Sequence, residues 1–437
     1  MKNKQNLVKI ALFSVVLMFL FLIFFSFLTS AKEITVSNSE KADFTSIQEA
    51  VNNSASGDRI LVSPGAYNET VKISVKNISI LSKSKIPQDT FVKVFEIFAN
   101  NVTIGGFTIL ENIKIRASIP YDGHNFYTVE NCTIKYNQFL KDGIDARECY
   151  NATIKENTFL GKGIGSECYN CNFYDNVFFE GNIHTYGDST RNLIYNNTFL
   201  KGGIALADSD DNKILKNRIS NGIENGNGIV LFESHDNFID NNYISNCICG
   251  ILLPFLCGDN EVTNNTLISN NEGIKIDHLS PWNTFKNNTI ANNNIGVSIL
   301  NSCPGTLITE NRIQFNRDYG IYIAQSSTDP GFNGTNLIYN NLFNNTVNFF
   351  NNTKTMQYGD PVTSIWNITK TSGTNIAGGP YLGGNYWAKP DGTGFSETCL
   401  DLNRDGICDL PYNISENDSD YFPLVSMQTR KPAYCRF

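Results

Sequence analysis

Asp236-Asn-Phe-Ile-Asp-Asn-Asn-Tyr-Ile244, then Gly250-Ile-Leu-Leu253, then Asp259-Asn-Glu-Val-Thr-Asn-Asn-Thr-Leu267: a nine-residue frame, a connector, and the frame again. With small departures the frame recurs with its last residue at Phe159, Phe199, Ile219, Ile290, Ile313 and Phe343. Its second asparagine forms a column through Asn137, Asn157, Asn176, Asn197, Asn217, Asn242, Asn265, Asn288, Asn311 and Asn341. The connector repeats too, as Gly203-Ile-Ala-Leu206, Gly273-Ile-Lys-Ile276 and Gly320-Ile-Tyr-Ile323. No unit carries helical apolar periodicity, so each holds several short strands. A leucine-rich repeat has a similar period, but its strand needs apolar residues at both positions before its Asn. Here the residue two before the Ile is usually Asn, as in Asn192-Leu-Ile194, and no helix follows.

Coils of roughly 20–23 residues stacked at about 4.8 Å describe an all-β fold, a right-handed single-stranded parallel β-helix or solenoid. Ten coils predict a rod on the order of 50 Å. The column asparagines are expected to take the left-handed bends and to hydrogen-bond to the same amide one coil above. A stack has two raw ends that must be covered. Residues 43–57 predict a short N-terminal capping helix opened by Thr45 or Ser46, with Glu49 near the capping-box position. The frame dissolves after Phe350, which predicts an irregular C-terminal cap. The expected divisions are 1–31 as leader or anchor, 32–82 as cap and first coil, 83–350 as β-helix and 351–437 as second cap.

Composition agrees with a neutral-amide scaffold. Only 17% of the 437 residues are charged, against roughly 25% in typical soluble proteins, while Asn alone numbers 60. Lys and Arg total 34 against 42 acids, so there is no basic surface for phosphates and no nucleic-acid partner is expected. A 41% hydrophobic share with 30 Phe and 19 Tyr excludes a disordered chain.

Lys2, Lys4 and Lys9 precede an apolar run from Ile10 to Leu28, closed by Thr29-Ser-Ala31. This is an export signal, and the run is long enough either to be cleaved or to stay as a membrane anchor. Both outcomes place the body outside, at the cell surface or in the periplasm. Eleven cysteines suit that oxidising compartment, with Cys399–Cys408 the expected disulfide. Glu148-Cys149-Tyr-Asn and Glu167-Cys168-Tyr-Asn look like one repeated element with a stacked cysteine. Asn68, Asn101, Asn131, Asn151 and Asn333 are candidate glycosylation acceptors.

Three groups of residues suggest chemistry. Asp401, Asn403, Asp405, Ile407 and Asp409 alternate oxygen ligands around Gly406 as in an EF-hand-type loop, predicting structural calcium. Tyr412 replaces the final Glu, so Glu416, Asp418 or Asp420 would complete the shell. Coil alignment stacks Asp208 with Glu233, Asp210 with His235, and Asp211 with Asp236 and Asp259. Asp208, Glu233 and His235 are thus the candidate catalytic set for sugar chemistry, which needs two acids roughly 5–9.5 Å apart. The bland alternative is that Asp-Asn recurs as a turn dipeptide. His235, Cys257 and Cys303 are expected in one column, with Ser280 between the cysteines, and Cys247 and Cys249 on one strand face, a soft-ligand set for copper. Four His and only Met356 and Met427 past the leader make that set sparse, and cysteines also serve as small core residues.

Taken together, Asp43-Phe-Thr-Ser-Ile-Gln-Glu-Ala-Val51, Gly57-Asp-Arg-Ile-Leu-Val-Ser-Pro-Gly-Ala-Tyr67, the Asn frames, Gly384-Asn-Tyr-Trp387, Asp405-Gly-Ile-Cys-Asp-Leu-Pro-Tyr412 and Asp420-Tyr-Phe-Pro-Leu424 resemble the NosD-like family. The likeness spans nearly all of residues 32–424, with archaeal cell-surface members the nearest type. It implies a right-handed β-helix of the carbohydrate-binding and sugar-hydrolase repeat group, and by the family's name a copper-delivery role. Related epimerases and lyases use an Asp-Pro-His motif that is missing here, and His124, His184, His235 and His278 lack its context. The resulting expectation is an exported β-helix that binds glycans or serves structurally. Polysaccharide processing and copper carriage are the alternatives.

Overall fold

The computed structural model describes residues 31–116, 128–222, 226–324, 334–352, 363–416 and 418–426. The predicted leader, His124, Asn333, Met356 and Met427 lie outside them. Fifteen strands stack in parallel into one sheet, from Glu33–Val36 through Arg59–Val62 to Ser364–Ile365, and the remaining coil faces merge into a 25-stranded sheet. The chain is an all-β parallel solenoid. Its stack is longer than the ten coils counted from asparagines, roughly 70 Å for fifteen strands. The excess arises because rungs such as Ile34, Ile60, Ile80 and Ile104 pair in register without any Asn frame.

In-register stacking turns a sequence period into ladders. Ile134, Ile154, Phe173, Ile194, Ile214, Ile239, Val262, Phe285, Ile308 and Ile338 lie one above another, all fully buried. On the other sheet Phe139, Phe159, Phe178 and Phe199 stack with ring centroids 4.5–4.7 Å apart. Such aromatic burial adds to the apolar stabilisation of these four coils.

The asparagines divide the labour that the sequence suggests for one residue. The column members are buried and make the ladder. Asn265 Oδ1, for example, accepts the Asn242 backbone amide at 2.9 Å and its Nδ2 at 3.0 Å, while Asn242 Nδ2 also donates to Ile214 O at 2.8 Å. The left-handed bend belongs instead to the residue just before, at Tyr136, Glu156, Asp175, Asn196, Lys216, Asn241, Asn264, Asn287, Glu310 and Asn340. The reason is geometric: the bend points its own side chain outward, to solvent or at Asn340 to the Ile376 amide of the cap, and the next one inward, where an amide offers both a donor and an acceptor at this spacing. Two more ladders run through Asn192, Asn212, Asn237, Asn260 and Asn283, and through Asn270, Asn293, Asn316 and Asn345.

Both ends are covered. Helix Ile47–Asn52 buries Ile47, Ala50 and Val51. Ser46 is its cap, and Glu69 from strand Gly65–Ile73 accepts the Ile47 and Gln48 amides at 3.1 and 3.0 Å. This carboxylate satisfies orphan donors where the helix dipole favours negative charge. At the far end Trp387 extends the ring ladder above Phe343 at 4.7 Å and packs against Trp366 and Tyr412.

Candidate functional site

Asp208 and Glu233 occupy neighbouring rungs, each in the left-handed conformation of a corner. Asp210 Oδ1 accepts the His235 backbone amide at 2.6 Å, a bond between neighbouring coils. Asp211, Asp236 and Asp259 share the next column, and Asp236 is raised first by burial and then by the charges of Asp259 and Asp211. One alignment needs correction. His235 faces Gly258, whose amide donates to its Nδ1 at 3.1 Å, so it lies outside the Cys257–Ser280 column. The cysteine–serine part of that column stands.

In the C-terminal cap Cys399 and Cys408 are joined as a disulfide. The Asp401 carboxylate accepts the Asp405 and Gly406 amides at 3.1 and 3.2 Å, Asn403 Oδ1 accepts Asp405 N at 3.0 Å, and Asp409 accepts Leu402 N at 3.0 Å. Lys370 Nζ pairs with Asp405. Burial raises Asp405, but the Lys370 bond and the Ile407 amide outweigh it and hold the carboxyl below its ordinary range. Asn68, Asn101, Asn131 and Asn151 are all exposed.

A further recess, formed by a repeated corner, has no counterpart among the residue groups that the sequence suggests for chemistry. Phe139-Leu-Lys-Asp-Gly-Ile144, Phe159-Leu-Gly-Lys-Gly-Ile164, Phe178-Phe-Glu-Gly-Asn-Ile183 and Phe199-Leu-Lys-Gly-Gly-Ile204 form the same corner in four consecutive coils. Two hollows of about 440 and 670 Å³ share Lys162, Gly181 and Asn182 there and form one groove across the coils. Glycine is required for its floor. A Cβ on Gly143 would lie 1.7 Å from Gly163 O, and one on Gly163 would lie 1.9 Å from Asn182 O. Leu140, Phe179 and Leu200, at 37%, 46% and 44% exposure, form an apolar stripe immediately before the groove residues.

The groove is polar and charged along its length. Lys162 pairs with Asp142 at 2.9 Å and Lys201 with Glu180 at 3.1 Å. Asp145, Gly165 and His184 form one outward column, the glycine leaving a gap between acid and imidazole. Burial raises Asp145, but bonds from Arg116 at 2.8 Å and Arg147 at 3.0 Å hold its carboxyl below the usual range. Tyr186, its ring 5.8 Å from His184, is raised by burial. The Phe-Leu-x-x-Gly-Ile corner, present at Phe139, Phe159 and Phe199, was the signal available to find this groove.

Among the described residues, one set of three metal-ligating side chains brings its ligand atoms within 4.8 Å of one another: Cys149, Cys168 and Cys171. Also among the described residues, no helix is long and apolar enough to cross a membrane.

A family model described as "Periplasmic copper-binding protein (NosD)" matches residues 200–392, and one described as "Right handed beta helix region" matches residues 117–226. No curated protein matches the sequence. The chain is similar in structure to the catalytic unit of a GH87 alpha-1,3-glucanase from Streptomyces thermodiastaticus, at 15% identity and TM-score 0.50 over 72% of this chain and 66% of that one. It is also similar to the mannuronan C-5 epimerase AlgE6 A-module of Azotobacter vinelandii, at 12% identity and TM-score 0.42 over 72% and 91%. A third likeness is to PfbA, a surface adhesin of Streptococcus pneumoniae, at 14% identity and TM-score 0.48 over 78% and 95%. At these identities the likeness concerns the fold.

Proposed function

We propose, from the premise that this chain is a NosD-like right-handed parallel β-helix protein, that it is exported and binds a carbohydrate along the four-coil groove. The observation that carries this reading is the groove itself. A sugar presents apolar C–H faces and rings of hydroxyls. The stripe of Leu140, Phe179 and Leu200 suits the first, and Asp142, Lys162, Asn182 and His184 suit the second. Four rungs span about 15 Å, room for an oligosaccharide rather than one sugar. Charges of both signs line it, so a chain bearing carboxylates and hydroxyls fits better than a neutral one. Residues 1–31 would deliver the body outside, and the exposed Asn68, Asn101, Asn131 and Asn151 would accept glycans there. Calcium at Asp401, Asn403, Asp405, Ile407 and Asp409 would brace the C-terminal cap, the amide bonds to Asp401 and Asn403 supporting a folded loop for it.

A second reading has its own observation. His184, Asp145, Arg147 and Tyr186 stand together at one end of the groove. An imidazole and a phenol beside two arginines suit proton transfer next to a sugar carboxylate. A glycan array with the purified protein tests binding, and incubation with anionic polysaccharides tests catalysis. Retention of an oligosaccharide without new unsaturated or reducing ends supports the binding reading. New ends favour the second, and an absence of both retention and new ends with every glycan removes both readings.

A further inference from the structure

Strand Ile164–Tyr169 ends with Cys168 facing inward, Asn170 turns the chain at φ 55°, and Cys171 faces inward again before strand Asn172–Tyr174. The Cys168-Tyr-Asn-Cys171 corner thus folds two thiols toward each other. The coil below adds a third, because Cys149 is the in-register partner of Cys168. All three are buried, at 0%, 3% and 0% exposure. Their sulfurs lie within 4.8 Å of one another, and the Ala152 amide points at Cys171 Sγ from 3.3 Å.

Immediately outside lies a depression of about 300 Å³ lined by Cys149 and Cys168 together with Glu148, Glu167 and Asp188. Three carboxylates and no basic side chain form this lining. An acidic mouth over buried sulfur concentrates cations at the entrance and selects soft ones inside. The depression is separate from the groove. It also lies outside residues 200–392, so the family match does not assign it.

We infer that Cys149, Cys168 and Cys171 form a three-coordinate site for one soft monovalent cation, with Cu(I) as its chemistry. Three sulfurs about 2.3 Å from a common ion stand roughly 4 Å apart, compatible with the observed convergence. Zinc calls for a fourth ligand, and the next sulfur, Cys132, stands two coils below Cys171 with Ala152 between. On binding, each thiol that ligates the ion gives its proton to solvent and its sulfur lone pair enters the cation's shell. The copper stays Cu(I), so no electron changes hands.

The test is anaerobic titration of the full chain with Cu(I) against a colorimetric Cu(I) chelator. One equivalent is expected to be retained by the native protein and lost in Cys171→Ala. That variant should fold, because Ala152 already fills the same column position one coil below, and circular dichroism checks this. Cys257→Ser, whose column neighbours include Ser280, should keep the equivalent. X-ray absorption of the loaded protein should show three sulfur neighbours. Equal retention in native and Cys171→Ala proteins would overturn the inference. So would a disulfide among the three cysteines in protein isolated without reductant.

Discussion

Asp420 Oδ2 accepts the backbone amide of Asn385 at 2.7 Å and so closes the asparagine ladder that begins at Asn137. Asn341 donates to Asn385 Oδ1, and Asn385 in turn needs an acceptor that no further coil supplies. A buried carboxylate takes that place, and the same oxygen accepts Trp387 Nε1 at 2.8 Å. The last rung of an amide ladder is thus satisfied by an acid from the cap.

That acid has a pH consequence. Burial, the leading cause, pushes Asp420 from the ordinary 3.8 up to about 7. Between those values the folded state holds a proton that the unfolded chain releases, so stability falls as pH rises through this window and levels off above it. The expected result is a lower melting temperature at about pH 8 than at about pH 5, with Asp420→Asn flattening the difference. A slope unchanged in Asp420→Asn would place its source elsewhere.

Gly384 makes room for this contact, since a Cβ there would lie 1.7 Å from Asp420 Oδ1. Gly384→Ala should cost about 2–3 kcal/mol in urea unfolding, by overpacking. The cost should shrink in an Asp420→Ala background, where the clashing oxygen is gone. Equal costs in both backgrounds would show that the two residues are not coupled.

Within the ladder, Asn265→Ala strips the acceptor from two Asn242 donors. Asn242 Nδ2 keeps Ile214 O, but the buried Asn242 backbone amide is left unpaired, which should cost about 1–3 kcal/mol. Its exposed neighbour Asn264, at φ 54°, should tolerate glycine with little loss. Chemical denaturation of the two variants side by side checks the division between ladder and bend.

For the groove, Phe179→Ala and Lys162→Ala should each weaken oligosaccharide binding on the order of tenfold without shifting the melting temperature. Phe232→Ala, equally exposed but away from the groove, is the matched control. Isothermal titration with the best array ligand gives the comparison, and equal losses at Phe179 and Phe232 would count against the groove.

Calcium at a hundred times its Kd should stabilise the protein by about 2.7 kcal/mol if the C-terminal loop binds it. Lys370 already pairs with Asp405, so Lys370→Gln should raise calcium affinity. A melting temperature indifferent to calcium and chelator in both proteins would sink the proposal.

The solenoid was legible because Ile239 and Val262 sit at the same place in frames 23 residues apart, and that spacing is one coil. The acid column Asp211, Asp236 and Asp259 was legible for the same reason. His235 was misplaced against Cys257 because aligning frames assumes corners of constant length, and a one-residue difference moves a side chain to another column. The groove escaped notice because its signal is missing side chains. Glycine marks both a tight turn and an open floor, and the sequence does not say which.

The order of residues alone determined that this chain coils, with what period, and which apolar positions face inward, because parallel in-register stacking converts period directly into adjacency. Tertiary structure decided what lies at the corners. There the backbone bend assigns one asparagine to solvent and the next to the ladder. It also brings Cys171 across Asn170 to meet Cys149 and Cys168, and sets Asp420 on the open end at Asn385. Those contacts depend on the angle at which strands leave a turn, and that angle is settled by the coils above and below.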